Sequence, residues 1–362
     1  ELHNVKMLVS NEEKATEITE NNLNRLKKAG DRIAYLKEKM YYPQEVDDIF
    51  LNEDTNIFDI EATKRQKARL LAQERTGTPV ILYDDGQGVK HEFTDKLPIS
   101  NFPLKNTDNK EAPVVIYEFP IESPPYGLYV AGIDPYRQGK SAYSSSLGSV
   151  YIYKRMHSIS GEKYQDMFVA SYCARPEKKE TWEEQARYLI KYYNARALCE
   201  NDEISFIDYM IAKGDAHYLE RQPDWLKEIV PNTTVRRDYG IHRSSEKIRD
   251  FLHGCLKKYS EEVIHTEKDE DGNIKSETKG MSKIFDPVLL EEMIQYNEGG
   301  NFDRIIAAEL AIALAMKLDP IIGKIGGEQD VRMQSMFTKN KRNTLFTESR
   351  SMFNTPKNKL FR

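Results

Sequence analysis

Asp134, Glu200 and Asp303 are the residues whose types and surroundings could do chemistry. Asp134 closes the apolar run Gly127–Asp134 (GLYVAGID), and Glu200 closes the short apolar run Arg196–Glu200 (RALCE). Asp303 opens a long apolar segment, Phe302–Leu318. Carboxylates at the ends of two strands and the start of a helix meet if the strands are neighbours and the helix lies on them. Three acids brought that close repel one another unless a cation neutralises them. An all-oxygen donor set without His or Cys favours Mg²⁺ or Mn²⁺ over zinc. Two such ions about 4 Å apart can activate a water and stabilise a leaving 3′ oxygen, which is the chemistry of phosphodiester hydrolysis. Each acid taken alone is equally readable as a helix cap, a strand-end solvent contact or a surface ion pair.

The positioning elements follow from periodicity. Gly127–Asp134, Leu147–Arg155 and Met167–Ala174 read as three strands, and the Gly-containing gaps between them suit antiparallel neighbours. Thr181–Tyr193 reads as a helix with Glu183 and Glu184 in its first turn. Arg196–Glu200 is a fourth strand, followed by helices over Ile204–Lys213, Ser244–Tyr259, Leu289–Tyr296 and Phe302–Leu318. In the last, Ile306, Leu310 and Leu314 share a face with Asp303, which points that face at the sheet. Val263–Ile284 reads as a polar hairpin turning at Asp271-Gly272-Asn273. The expected architecture is an α/β core whose sheet is antiparallel over its first three strands and parallel beyond them, flanked by helices. Upstream, residues 11–40, Val46–Leu51 and Ile60–Arg75 read as a helical arm, and Thr76–Pro125, rich in proline and glycine, as irregular hairpins and a linker.

Several of these segments, in this order, resemble a known family. GLYVAGIDPYRQGK (127–140) with SSSLGSVYIYKR (144–155) is similar to the opening strands of the nuclease domain in large terminase subunits of tailed bacteriophages. ALCEND (197–202) resembles its second acidic strand, and NFDRIIAAELAIALA (301–315) its closing Asp–Arg helix. YYPQEVDDIFLNEDTNIFD (41–59) resembles the stretch joining ATPase to nuclease. The resemblance implies a ribonuclease-H-like fold over residues 125–319, preceded by residues 1–124 leading from an ATPase domain and followed by a basic tail, 320–362. It implies a metal-dependent endonuclease that cuts concatemeric double-stranded DNA, with Asp134, Glu200 and Asp303 as catalytic metal ligands. Its partners would be DNA, the ATPase domain, the small terminase subunit and the portal protein, in the host cytoplasm. Many relatives carry a further acid after the first Asp. Here that region reads Gly139-Lys140-Ser141, which leaves a fourth ligand to Asp202, Asp208, Asp286 or water. Lys140 and Lys247 are the candidate DNA contacts, Lys247 from its match to a basic helix position; a solvent-facing helix residue is its ordinary reading.

Other motifs dissolve on inspection. DPYRQGKS (134–141) nearly fits a phosphate loop, but Asp134 stands where the first glycine belongs, and a Ser-rich stretch replaces the helix that should follow. ATP hydrolysis is therefore not expected of this chain. DEDGN (269–273) has its glycine misplaced for a calcium loop and suits a hairpin turn. His242, His253 and His265 show no metal-ligand spacing. The aromatic stretch Tyr151–Tyr164 could stack on bases, but strands favour aromatics for packing.

Composition excludes broad classes. No apolar run in the 362 residues approaches the roughly 20 needed to span a bilayer, and the polar start does not read as a signal peptide. With no initiator Met, the sequence reads as a fragment or processed product. Three dispersed cysteines make neither a disulfide framework nor a zinc site. The net charge of −5 argues against a uniformly basic nucleic-acid binder, yet residues 320–362 carry nine Lys or Arg against Glu328, Asp330 and Glu348. That tail reads either as an arm for phosphates or as a solvated terminus. Two other functions stay open: a junction resolvase or transposase-like enzyme of the same broad fold, and a non-catalytic DNA-clamping module.

Overall fold

A computed structural model describes residues 3–4, 9–10, 12–29, 32–43, 56–73, 77–105, 108–137, 146–156, 166–230, 238–269, 272–297 and 299–318. The chain divides into two compact units, one of residues 1–155 and 163–318, the other of 156–162 and 319–362. Only Met156 of the second unit is among the described residues.

The first unit is built on a seven-stranded mixed sheet. Its strands are β3 (Thr78–Asp84), β4 (Val89–Phe93), β5 (Val114–Ile116), β6 (Tyr129–Asp134), β7 (Gly148–Lys154), β8 (Met167–Ala174) and β9 (Arg196–Cys199), in the order β4-β3-β5-β8-β7-β6-β9. Every pairing is antiparallel except β6 with β9. All residues of β6, β7 and β8 are buried, so both faces of these strands are covered.

The stretch expected to be a linker supplies β3, β4 and β5 to this sheet. The boundary drawn at residues 124 and 125 therefore cuts the sheet. Two things hid these strands. β5 is only three residues long, and beyond its end the inner edge of β3 is completed by a side chain: Gln185 accepts from the Leu82 N–H at 3.0 Å and donates to the Leu82 carbonyl at 2.8 Å.

Gln185 belongs to α4 (Lys179–Tyr192), which packs through Trp182, Ala186, Leu189 and Ile190. Trp182 Nε1 donates to the Gly148 carbonyl at 3.0 Å, and Tyr193 at the helix end meets Tyr129 of β6 edge to face. The other face of β6 carries α9 (Asp303–Lys317). Alternation along a strand places Tyr129 on one face and Gly132 on the other, and Gly132 is where α9 touches. A Cβ there would come within 1.9 Å of the Ala307 carbonyl oxygen and 2.4 Å of the Ala311 nitrogen. Helix backbone thus lies directly on strand backbone.

The expected face of α9 needs correction. From Asp303 to Leu314 the helix is buried nearly all round, and Ile306 is the one residue of that run left half-buried. The contact stripe is Asp303, Ala307 and Ala311. Small residues let the backbone approach, and a helix embedded on all sides offers no amphipathic stripe to read.

The remaining helices are α1 (Glu12–Ala29), α2 (Arg32–Tyr41), α3 (Ile60–Ala72), α5 (Ser205–Ala212), α6 (Leu226–Ile229), α7 (Glu246–Glu261) and α8 (Pro287–Gln295). Two-residue strands β1 (His3–Asn4) and β2 (Val9–Ser10) pair before them, and β10 (Val263–Lys268) pairs with β11 (Ile274–Lys279) as the expected hairpin. The single helix expected over 11–40 is two, joined through Asn22 to Glu38 at 3.0 Å. The helix expected over Val46–Leu51 lies outside the described residues. No described helix is long and apolar enough to cross a membrane.

Candidate metal centre

The one parallel seam of the sheet carries the acids. In its register Ile133 lies opposite Cys199, and the Glu200 N–H continues the ladder to the Ile133 carbonyl at 2.8 Å. Parallel strands end at the same edge, so Asp134 and Glu200 leave the sheet side by side, and they share a side-chain hydrogen bond. Asp134 is two residues beyond Gly132 and so lies on the α9 face. Asp303 is one turn before Ala307, the residue seated over Gly132. The close approach at Gly132 is what brings the helix start to the strand ends.

Asp303 is held firmly. Its carboxylate accepts from the Leu147 N–H at 2.7 Å, Asn301 Nδ2 at 3.0 Å and Ser146 Oγ at 3.2 Å. Its helix has no side-chain cap of its own at Phe302. Glu292 of α8 serves instead: one carboxylate oxygen accepts from the N–H groups of Arg304 (3.0 Å) and Ile305 (3.2 Å), and the other from Arg304 Nη1 (3.1 Å). A buried carboxylate from a different helix thereby fixes the first turn that bears Asp303.

The electrostatics show the crowding. Burial, and then the neighbouring charges of Glu200 and Asp303, push the Asp134 carboxyl well above the usual range. Burial also raises Glu200, held back by its hydrogen bond with Asp134 and by the positive charge of Arg243. Asp303 is pushed up to about 6 by burial, against the pull of the Leu147 N–H and Ser146.

The candidate fourth ligands divide. Asp202 is exposed and near enough to raise Glu200 by its charge. Asp208 is exposed in the first turn of α5. Asp286 caps α8, accepting from the Val288 N–H at 2.8 Å, the Leu289 N–H at 3.3 Å and the Tyr151 hydroxyl at 2.5 Å, with Arg304 Nε at 4.0 Å. It is committed to that helix start and to Arg304, not to the three acids. Lys247 is exposed in the first turn of α7. Lys140 lies outside the described residues, in the stretch whose two ends Arg175 pins by donating to the carbonyls of Ser146 (2.8 Å) and Arg137 (3.0 Å).

Arg243 is the residue the sequence did not single out. It is buried, and its Nη2 lies 2.6 Å from Glu309 of α9, itself fully buried. The other Glu309 oxygen lies 2.6 Å from His253 Nδ1, and His253 Nε2 meets the Tyr296 hydroxyl at 2.9 Å. His253 is thus packed between Glu309 and Tyr296. The only sequence signal for Arg243 is the short YGIHR segment (239–243).

The three acids offer carboxylate oxygens, donors that fit a hard divalent ion in kind. Among the described residues, however, no group of three or more His, Cys, Asp or Glu is already spaced as a metal cage. No protein-family model matches the chain, and no curated protein matches it either.

Proposed function

We propose that the protein is a Mg²⁺- or Mn²⁺-dependent DNA endonuclease of the kind found in the large terminase subunits it resembles, with a ribonuclease-H-like core. The observation that carries this reading is the exit of Asp134 and Glu200 side by side from the one parallel seam, with Asp303 close enough to raise the Asp134 carboxyl by its charge. The order β8-β7-β6-β9, three antiparallel strands and then a parallel one, supports the same fold. Asp134, Glu200 and Asp303 would hold the metal, which supplies charge neutralisation for an attacking water and a leaving oxygen. The chain's own part is to hold three carboxylates in a water-poor edge, with Asp303 oriented by Leu147, Ser146 and Asn301. The substrate is double-stranded DNA; the ATPase domain, small terminase subunit and portal are the proposed partners, in the host cytoplasm.

The test is plasmid cleavage. Purified protein nicks or linearises plasmid with Mn²⁺ and stops with EDTA, and Asp134→Ala, Glu200→Ala and Asp303→Ala each abolish cutting. Undiminished cutting by any of them removes that residue from the centre. A strong preference for four-way junctions over linear duplex makes the protein a resolvase instead. A non-catalytic DNA-clamping module takes over as the reading if Mn²⁺ soaked into crystals does not bind at the three acids.

A further inference from the structure

Arg243 reaches the acidic edge by a route the backbone enforces. Residue 241 pairs with Glu200 as a parallel bridge, the Ile241 N–H donates to the Cys199 carbonyl at 2.9 Å, and the Asn201 N–H donates to the Ile241 carbonyl at 2.9 Å. Asn201 Nδ2 adds a bond to the Tyr239 carbonyl at 3.0 Å. Gly240, at φ +78°, permits this close pass, since a Cβ there would lie 2.4 Å from the Cys199 carbonyl oxygen. Arg243 follows two residues after Ile241, its backbone carbonyl held by Arg249 Nη1 at 3.1 Å. Its guanidinium is clamped on one side by Glu309, whose second oxygen is engaged by His253.

An arginine buried beside carboxylates needs compensation, and so do the carboxylates. Among the described residues Glu309 is its ion-pair partner. Asp134 and Glu200 are also among the charges that act on Arg243, so its field is shared between the clamp and the cluster. We propose that Arg243, held by Glu309, is a positioning residue: the internal counter-charge that keeps Asp134 and Glu200 together before any divalent ion arrives. This rests on the proposed centre for its biological meaning, but its physical content is independent of any metal. It also carries a consequence for binding. A fixed positive charge that stands in for a cation opposes the cation that replaces it and so weakens Mn²⁺ binding.

Removing Arg243 alone would strand Glu309, so the test uses Arg243→Gln with Glu309→Gln, which leaves net charge unchanged. Thermal unfolding in EDTA at pH 7.5 is measured for the wild type, the Gln pair, Glu200→Gln and the triple variant. Glu200→Gln is expected to raise Tm by several degrees in the Gln-pair background and to leave it unchanged or lower it in the wild type. Equal effects in both backgrounds overturn the proposal. Arg243→Lys keeps the charge and should respond to Glu200→Gln as the wild type does; a response like that of the Gln pair also overturns it. In Mn²⁺ titration calorimetry the Gln pair should bind more tightly, since Arg243 acts on Glu200 more strongly than Glu309 does; unchanged affinity in a protein that binds Mn²⁺ overturns the proposal. If the wild type binds no Mn²⁺ while the EDTA cycle shows the coupling, the metal reading fails and the counter-charge stands.

Discussion

Asp303 pays for its place in the cluster with a raised proton affinity. Its carboxyl is pushed up to about 6 in the folded protein, against 3.8 ordinarily. A raised folded value means the native state binds the proton more tightly than the unfolded chain. Its contribution to stability is therefore full below about pH 4 and is lost as pH rises through about 6, an effect of about 3 kcal/mol at most. Without metal, Asp303→Asn should be more stable than the wild type at pH 7.5, and the difference should vanish near pH 4; urea titrations in EDTA across that range check it. A difference that grows on acidification would reverse the sign and refute the account. The three acids were legible because each sits at a change of pattern, two at strand ends and one at a helix start. Arg243 was not, because nothing local marks it: its place depends on the non-local pass of residues 239–241 beside Cys199–Asn201.

At the scale of elements, the centre depends on how closely α9 can lie on β6. Gly132→Ala puts a methyl into the Ala307 carbonyl, where backbone has to move. We expect a loss of about 2–3 kcal/mol, read by chemical denaturation, and a fall in Mn²⁺-dependent cutting larger than the stability loss accounts for. Glu292 makes a second test. Glu292→Ala leaves Arg304 buried with only the longer contact to Asp286 and uncaps the first turn of α9; the expected cost is about 3–5 kcal/mol. The strands and helices of residues 127–318 were readable from apolar runs and period, except the four-residue α6, which is too short to show a period. Two features escaped for opposite reasons. β5 is only three residues long, and prolines and glycines crowd the segments before and between β3, β4 and β5, so the stretch read as irregular hairpins and a linker. α9 is buried nearly all round, so its period alone could not single out Ala307 and Ala311 as the residues seated on β6.

For the whole molecule, the basic charge lies toward the end of the chain and the acidic centre in the body. If residues 320–362 contact phosphates, truncation after Leu318 should weaken duplex binding and flatten its dependence on salt, measured by fluorescence anisotropy at several NaCl concentrations. An unchanged salt slope assigns DNA contact to the body alone.

The buried cysteines make the molecule its own reporter. Cys173 lies in β8, Cys199 in β9 beside Glu200, and Cys255 in α7; all three are free and buried. Burial pushes the Cys173 thiol up to about 11 and Cys255 to about 12, and raises Cys199 as well. Thiol-specific reagents can therefore modify them only during opening excursions, and the site labelled identifies which layer opened. A divalent ion that bridges the strand ends and the helix start would slow labelling at Cys199 more than at Cys173 or Cys255, giving an occupancy signal that requires neither DNA nor turnover.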